Sequence, residues 1–223
     1  MAERMISKSR YKLYVGKEVT ESLFLKTHNV DVAAYPEAAQ VPLETKLAWF
    51  RKNSESYVVF YDEAARMVIG YISVYPVKPA FALKYVKGKI NFVNIKPSSI
   101  CKYRDNHRYW LYGWSCAVLP EYQGKPIRDL FQTSQYNGVK VFKILNEGLV
   151  DLFCRLAKRN IYIDKIFGEG YGPKGNEYLK NLALARMAVR NKSDAEIYLG
   201  KFNVDAYYKC RNYKQLQQAY AGK

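Results

Sequence analysis

The segment Tyr109–Leu119 constrains the fold of this chain more than any other. It reads YWLYGWSCAVL and contains no charged residue. A continuous apolar run is typical of a strand that is covered on both faces, whereas a half-exposed strand alternates apolar and polar residues. The sequence therefore predicts a central strand in a layered α/β fold built around one sheet.

The predicted elements on either side of this segment alternate between strands and helices. Further strands are expected at Arg10–Val15, Ser56–Tyr61, Met67–Tyr75, Ile161–Phe167 and Glu196–Val204. Helices are expected at Glu18–Thr27, from Pro42 through Phe50, at about Asn176–Met187 and over Asp205–Tyr220. A longer amphipathic helix is indicated by apolar residues at helical spacing, namely Phe142, Leu145, Leu149, Leu152, Phe153 and Leu156.

Residues 77–108 fit this alternation poorly. Between Lys84 and Arg108 there are seven basic residues against one acid, and prolines stand at Pro79 and Pro97. We interpret this stretch as a surface insertion with one strand around Lys89–Ile95. The 223 residues suit one domain, with a core at residues 10–204 and a helical tail at residues 205–223.

Composition and charge exclude several classes of protein. The chain is 49% hydrophobic, which excludes a disordered chain, and no apolar run approaches the roughly 18 residues of a membrane span. The charged start has no apolar segment behind it, so we expect a cytoplasmic protein with reduced cysteines. The two histidines and four cysteines are not clustered as metal ligands. A net charge of +16 favours anionic partners or a solvated basic surface.

The residues after the central strand carry the most specific local signal. The segment Pro120–Pro126 is predicted to turn the strand directly into a helix at Ile127. The free N–H groups of a helix N-terminus bind phosphate, and Lys125 and Arg128 add positive charge beside them. The sequence therefore indicates a pyrophosphate site at this turn.

This strand, turn and helix resemble the core of the general-control-related N-acetyltransferases, the GNAT family. In that family a strand ending in V-x-P-E-Y, here Val118–Tyr122, runs into a loop of pattern Q/R-x-x-G-x-G/A. The resemblance implies an α/β (α+β) domain with a central mixed, mostly antiparallel twisted sheet flanked by helices on both faces. It also implies acetyl-CoA as co-substrate, direct attack by an amine in a ternary complex, and no metal.

The resemblance assigns roles to individual residues. Cys116 and Val118 would hold the pantetheine arm through their backbones, and Asn176 would also meet that arm. Tyr178 would protonate the leaving thiolate, and Glu121 is a candidate general base. The loop would bind the pyrophosphate through Gln123, Gly124, Lys125, Pro126, Ile127 and Arg128.

Two of these loop residues depart from the family pattern. Pro126 stands where glycine is expected and has no N–H to donate, and Arg128 stands where glycine or alanine is expected. Arg128 could clamp a phosphate with its side chain, or the loop could be degenerate. The second possibility describes a non-catalytic scaffold on the same fold.

The acceptor amine is left open by the sequence. A small molecule, a peptide and an RNA-linked amine such as charged tRNA are all compatible with it, and a homodimer is possible. Residues 170–175 also match GxGxxG, with Asp194 beyond, but too few residues surround this motif for a dinucleotide-binding unit.

Overall fold

Among the residues that the structure describes, seven strands form one mixed sheet that organises the fold. A computed structural model describes residues 9–91, 95–128, 134–170, 172–189 and 195–223. The strands are β1 Tyr11–Val15, β2 Tyr57–Asp62, β3 Met67–Val77, β4 His107–Val118, β5 Ile161–Gly170, β6 Ala185–Val189 and β7 Glu196–Lys201. Their spatial order is β1-β2-β3-β4-β5-β7-β6, and β4 with β5 is the parallel pair among antiparallel neighbours.

Helices cover both faces of this sheet. They are α1 Glu21–Ala34, α2 Leu43–Lys52, α3 Pro79–Val86, α4 Val141–Ala157, α5 Gly172–Asn181 and α6 Tyr213–Tyr220. Side chains of α1, α2 and α3 join one buried cluster, and those of α4, α5 and α6 pack with a second cluster on the other face. Within β4, Leu111 belongs to the second cluster and Tyr112 to the first, as strand alternation requires. The predicted fold class is confirmed.

The ends of three predicted helices were wrong, and one of them is the tail helix, which was expected over Asp205–Tyr220 but begins at Tyr213. The first helix starts at Glu21, where the Thr20 side chain accepts a hydrogen bond from the Leu23 N–H, and continues to Ala34. Its last turns bury Val30 and Asp31, which lie beyond the predicted helix end at Thr27. The helix predicted at Asn176–Met187 ends at Asn181, and its second half forms strand β6.

The interpretation of residues 77–108 as a surface insertion was also wrong. Helix α3 lies here, and it buries Ala82, Tyr85 and Val86 at positions i, i+3 and i+4. Lys84 within α3 and Lys78 and Lys87 beside it are exposed, and these lysines hid the helix behind a charged composition. The strand expected at Lys89–Ile95 falls partly outside the described residues, and residues 89–91 are not in a strand. Within the described ranges, no helix is both long and apolar enough to cross a membrane.

Candidate active site

The parallel strands β4 and β5 separate at their carboxyl ends. Their last pair is Gly113 with Gly168, although β4 continues beside β3 to Val118 and β5 continues beside β7 to Gly170. A Cβ atom on Gly168 would lie 2.9 Å from the Gly113 carbonyl oxygen, so glycine permits this close last approach. Beyond it the sheet opens.

A β-bulge in β4 accompanies this opening. Ser73 of β3 faces Ser115, but its neighbour Val74 faces Gly113, which leaves Trp114 as the extra residue of β4. A bulge bends its strand and is over-represented next to active sites. The bulge lies at the position where β4 leaves β5.

The opening contains a cleft of about 550 Å³ that is lined from both faces of the sheet. The α1–α3 face contributes Ala34, Tyr35, Val41, Tyr112 and Glu169 among others. The α4–α6 face contributes Phe142, Leu149, Tyr178, Leu179 and Tyr207 among others. The volume is typical of a small-molecule or cofactor site.

The backbone of β4 turns polar groups toward this cleft. The Leu119 N–H donates to the Ile69 carbonyl of β3 at 2.9 Å. Because successive residues of a strand direct their N–H and C=O groups to opposite edges, those of Cys116 and Val118 point away from β3. The Val118 carbonyl accepts a hydrogen bond from the Gln123 side chain at 2.9 Å. Both predicted backbone residues therefore lie along the open edge.

Tyr178 reaches the cleft from α5. Its hydroxyl donates to the Asn146 Oδ1 of α4 at 3.1 Å, and its ring packs edge-on against Phe142. Burial raises the pKa of Tyr178 well above its ordinary value, and the nearby Cys116 adds to the shift. The phenol therefore keeps its proton at neutral pH and is available as a donor inside the cleft.

The cysteine in the cleft is not activated as a nucleophile. Burial raises the pKa of the Cys116 thiol to about 12. Since the thiolate is the reactive form, this side chain is inert at neutral pH.

The predicted pyrophosphate loop does not become helical at Ile127. Ile127 and Arg128 are not helical, and the helix that follows β4 among the described residues begins at Val141. Leu130 and Phe131, which share helical spacing with Ile127 in the sequence, lie outside the described residues. Three N–H groups of the loop already donate to nearby carbonyl oxygens, at 2.9 to 3.4 Å, and they belong to Gln123, Lys125 and Ile127.

The remaining predicted site residues differ in whether they line the cleft. Gln123 and Gly124 line the cleft, whereas Lys125, Pro126 and Arg128 are exposed and do not line it. Glu121 is exposed in the short 3₁₀ turn Pro120–Tyr122, outside the cleft lining. Asn176 packs against the end of β5, where a Cβ on Gly170 would lie 2.9 Å from its backbone nitrogen.

Several polar residues of the cleft were missed because they come from separate segments. Asp31 of α1 is 5% exposed, forms a 2.7 Å ion pair with Lys46 of α2, and accepts a hydrogen bond from the Tyr71 hydroxyl. The hydroxyls of Tyr35 and Ser115 lie 3.1 Å apart. The only signal that marked Asp31 was a carboxylate on an otherwise apolar helix face.

The comparisons with known proteins give structural matches only. No family model matches the sequence, and no curated protein matches it. The loading GNATL domain of CurA from Lyngbya majuscula is 10% identical, with a TM-score of 0.54 over 87% of this chain and 98% of that one. The yncA protein of Salmonella typhimurium, solved with its cofactor acetyl-CoA, is 14% identical, with a TM-score of 0.48 over 87% and 95%.

The sheet and the CurA match together define the class. The chain is built on one open α/β sheet that splits between its parallel strands, with helices on both faces. Within that class it has the GNAT fold, as the resemblance of its central segment predicted.

Proposed function

We propose that this protein transfers the acetyl group of acetyl-CoA to an amine by direct attack in a ternary complex. The observation that carries the proposal is the cleft at the β4–β5 split, which is lined from both faces of the sheet. A thioester entering from the α4–α6 face and an amine entering from the α1–α3 face meet there. Holding both reactants in one site removes much of the barrier to acyl transfer.

The open edge of β4 supports the donor half of this proposal. The pantetheine arm carries amide groups, and the outward N–H and C=O groups of Cys116 and Val118 offer them strand-like hydrogen bonds. The apolar residues Leu149 and Leu179 flank the arm. Burial raises the pKa of the Cys116 thiol, and a protonated thiol is a poor nucleophile, which supports direct transfer over an acyl-enzyme at this residue.

We assign the phosphates of acetyl-CoA to the N-terminus of α4, whereas the sequence suggested the loop after β4. Phe142, in the first turn of α4, lines the cleft, so the N-terminus of this helix lies at its mouth. Lys140 and Lys143 are exposed there, and the first turn holds no acidic residue. The helix dipole, the free N–H groups and these two lysines favour a pyrophosphate. Arg128 contributes by side-chain charge alone.

The chemistry then needs one proton at the leaving group. As the amine nitrogen bonds to the thioester carbon, the C–S bond breaks and the thiolate leaves. The Tyr178 hydroxyl donates its proton to that sulfur, giving free CoA, and regains a proton from solvent. Asn146 holds the hydroxyl in place.

Calorimetric titration with acetyl-CoA at two salt concentrations tests the proposal. We expect saturable micromolar binding that the Lys140→Ala/Lys143→Ala variant weakens about tenfold at low salt. Arg128→Ala should weaken binding less, and Lys214→Ala, an exposed lysine of α6, should leave it unchanged. An absence of saturable binding by the wild type at either salt would contradict the proposal and favour the non-catalytic scaffold.

A further inference from the structure

A second, smaller pocket lies between helix α1 and the β2–β3 hairpin. Its volume is about 190 Å³. Lys26 and Asn29, which are one turn apart on α1, line it together with Arg66, the last residue of the hairpin turn. Its apolar lining consists of Met67, Val68 and Leu119. Val68 and Leu119 belong to the buried cluster of the α1–α3 face, so the pocket lies on the opposite side of the sheet from α4.

Lys26 is held in place at this pocket and keeps one hydrogen-bond donor for a ligand. Its ammonium donates to the Tyr61 hydroxyl and to the Arg66 carbonyl, both at 2.9 Å, and lies 5.1 Å from the centre of the Tyr61 ring. An ammonium has three N–H donors, so one remains after these two bonds. Both acceptors are neutral, and no carboxylate of the described residues pairs with Lys26. Its positive charge is therefore available to an anion.

Arg66 supplies a second positive charge at the pocket. Its side chain is exposed and forms no ion pair within the described part of the chain. The two acids of the same hairpin have other partners, because Asp62 is bound by Arg10 and Glu63 accepts from the Tyr14 hydroxyl. The six residues that line the pocket include no acid. The paired N–H groups of a guanidinium match two oxygens of an oxyanion, so this lining favours an anionic ligand.

The backbone conformation of Arg66 favours a different residue at this position. Its φ is 54°, in the left-handed region where glycine is unstrained and any other side chain costs energy. The hydrogen bond from Lys26 goes to the Arg66 carbonyl, which a glycine would also provide. The hairpin therefore does not require an arginine here, and a ligand for the guanidinium accounts for it.

We propose that this pocket binds a phosphate monoester, with Lys26 and Arg66 on the phosphate and the organic body against the apolar lining. A phosphate monoester carries a charge of about −1.5 to −2 at neutral pH, which the two cations match. The Asn29 amide can donate to a further phosphate oxygen. The volume of about 190 Å³ limits the organic body to a small one. The pocket shares no lining residue with the cleft, so the inference does not depend on the proposed function.

Calorimetric titration with phenyl phosphate at low salt tests the inference. The starting protein is the Lys140→Ala/Lys143→Ala variant, which lacks the two lysines that we assign to the phosphates of acetyl-CoA. We expect saturable binding with a Kd below about 1 mM, which Lys26→Met and Arg66→Gly each weaken about tenfold or more. Lys214→Met, at an exposed lysine of α6, is the charge-matched control and should leave the Kd unchanged. Inorganic phosphate should bind more weakly than phenyl phosphate, because it has no apolar group to bury.

Thermal unfolding without ligand separates a binding role of Arg66 from a structural one. Glycine suits the positive φ, so the Tm of Arg66→Gly should equal or exceed that of the starting protein while its affinity for phenyl phosphate falls. A fall in both Tm and affinity would make Arg66 a structural residue and overturn its assignment to the ligand. The inference is also overturned by an absence of saturable binding, by binding that neither pocket variant weakens, or by inorganic phosphate binding as tightly as phenyl phosphate.

Discussion

The ion pair between Asp31 and Lys46 joins helix α1, which lines the cleft, to helix α2. Its two side chains are 5% and 4% exposed and are joined at 2.7 Å. Lys46→Met keeps most of the aliphatic stem and removes the ammonium, which leaves the Asp31 carboxylate buried and uncompensated. Breaking one partner of a buried pair costs about 3–5 kcal/mol. At about 2–4 °C per kcal/mol for a chain of this size, we expect Tm to fall by roughly 6–20 °C.

Thermal and urea unfolding of three variants provide the assay, the first for Tm and the second for the free energy of unfolding. Asp31→Asn/Lys46→Met removes both charges and should recover much of the stability that the single variant loses. Arg51→Met is a matched control, because it breaks an exposed pair with Glu21 at 2.8 Å between the same two helices and should change little. If Lys46→Met matched Arg51→Met, or if the double variant were no more stable than the single one, the buried pair would not hold α1 against α2.

Three further predictions concern the cleft, the sheet and the first strand. Tyr178→Phe should lower kcat for thiol release about 100-fold while calorimetry shows unchanged acetyl-CoA affinity; an unchanged kcat would remove this residue as the acid. Gly168→Ala should cost about 1–3 kcal/mol in urea unfolding, since its Cβ would lie 2.9 Å from the Gly113 carbonyl oxygen, whereas Gly113→Ala meets nothing closer than 3.7 Å. Equal losses in the two glycine variants would contradict this. Burial alone would raise the pKa of Asp62, but hydrogen bonds from Arg10 and two backbone N–H groups outweigh it and leave the pKa below the ordinary 3.8. The pair therefore stabilises the fold above pH 3.8 and loses this effect as pH falls through the lowered pKa, so the stability gap between wild type and Arg10→Met should close in acid. A gap that stayed constant down to pH 2 would refute this.

The parts of the fold that were predictable from sequence depend on local patterns. The continuous apolar run of β4 reflects burial on both faces of a strand, and the apolar stripe of α4 reflects burial of one helix face. Both elements could therefore be predicted from the pattern of apolar residues. Tyr178 was singled out by the family resemblance, and the structure places it in the cleft on α5. Helix α3 was missed, because exposed lysines within it and beside it dominate the local composition, while its buried face consists only of Ala82, Tyr85 and Val86.

The site residues that were missed depend on contacts between distant segments. Glu169 gains its position from the end of β5, and its hydrogen-bond donor Tyr85 comes from α3, 84 residues earlier in the chain. The prediction of a helix start at Ile127 failed for a similar reason. Its N–H donates to Val139, so the chain folds back on itself before α4 begins, and no spacing in the loop encodes that bond.

The separation of β4 from β5 leaves the sheet in two blocks, β1–β4 and β5–β7, which are joined along His107–Gly113. A flexible ligand bound in the gap would connect the two blocks. It would form the hydrogen bonds that a strand between them would otherwise form. The amide protons of Cys116 and Val118 should then exchange with deuterium quickly in the free protein and slowly once the gap is filled. The exchange rates of these two amides would thus report whether the gap is occupied, without substrate turnover or mutation.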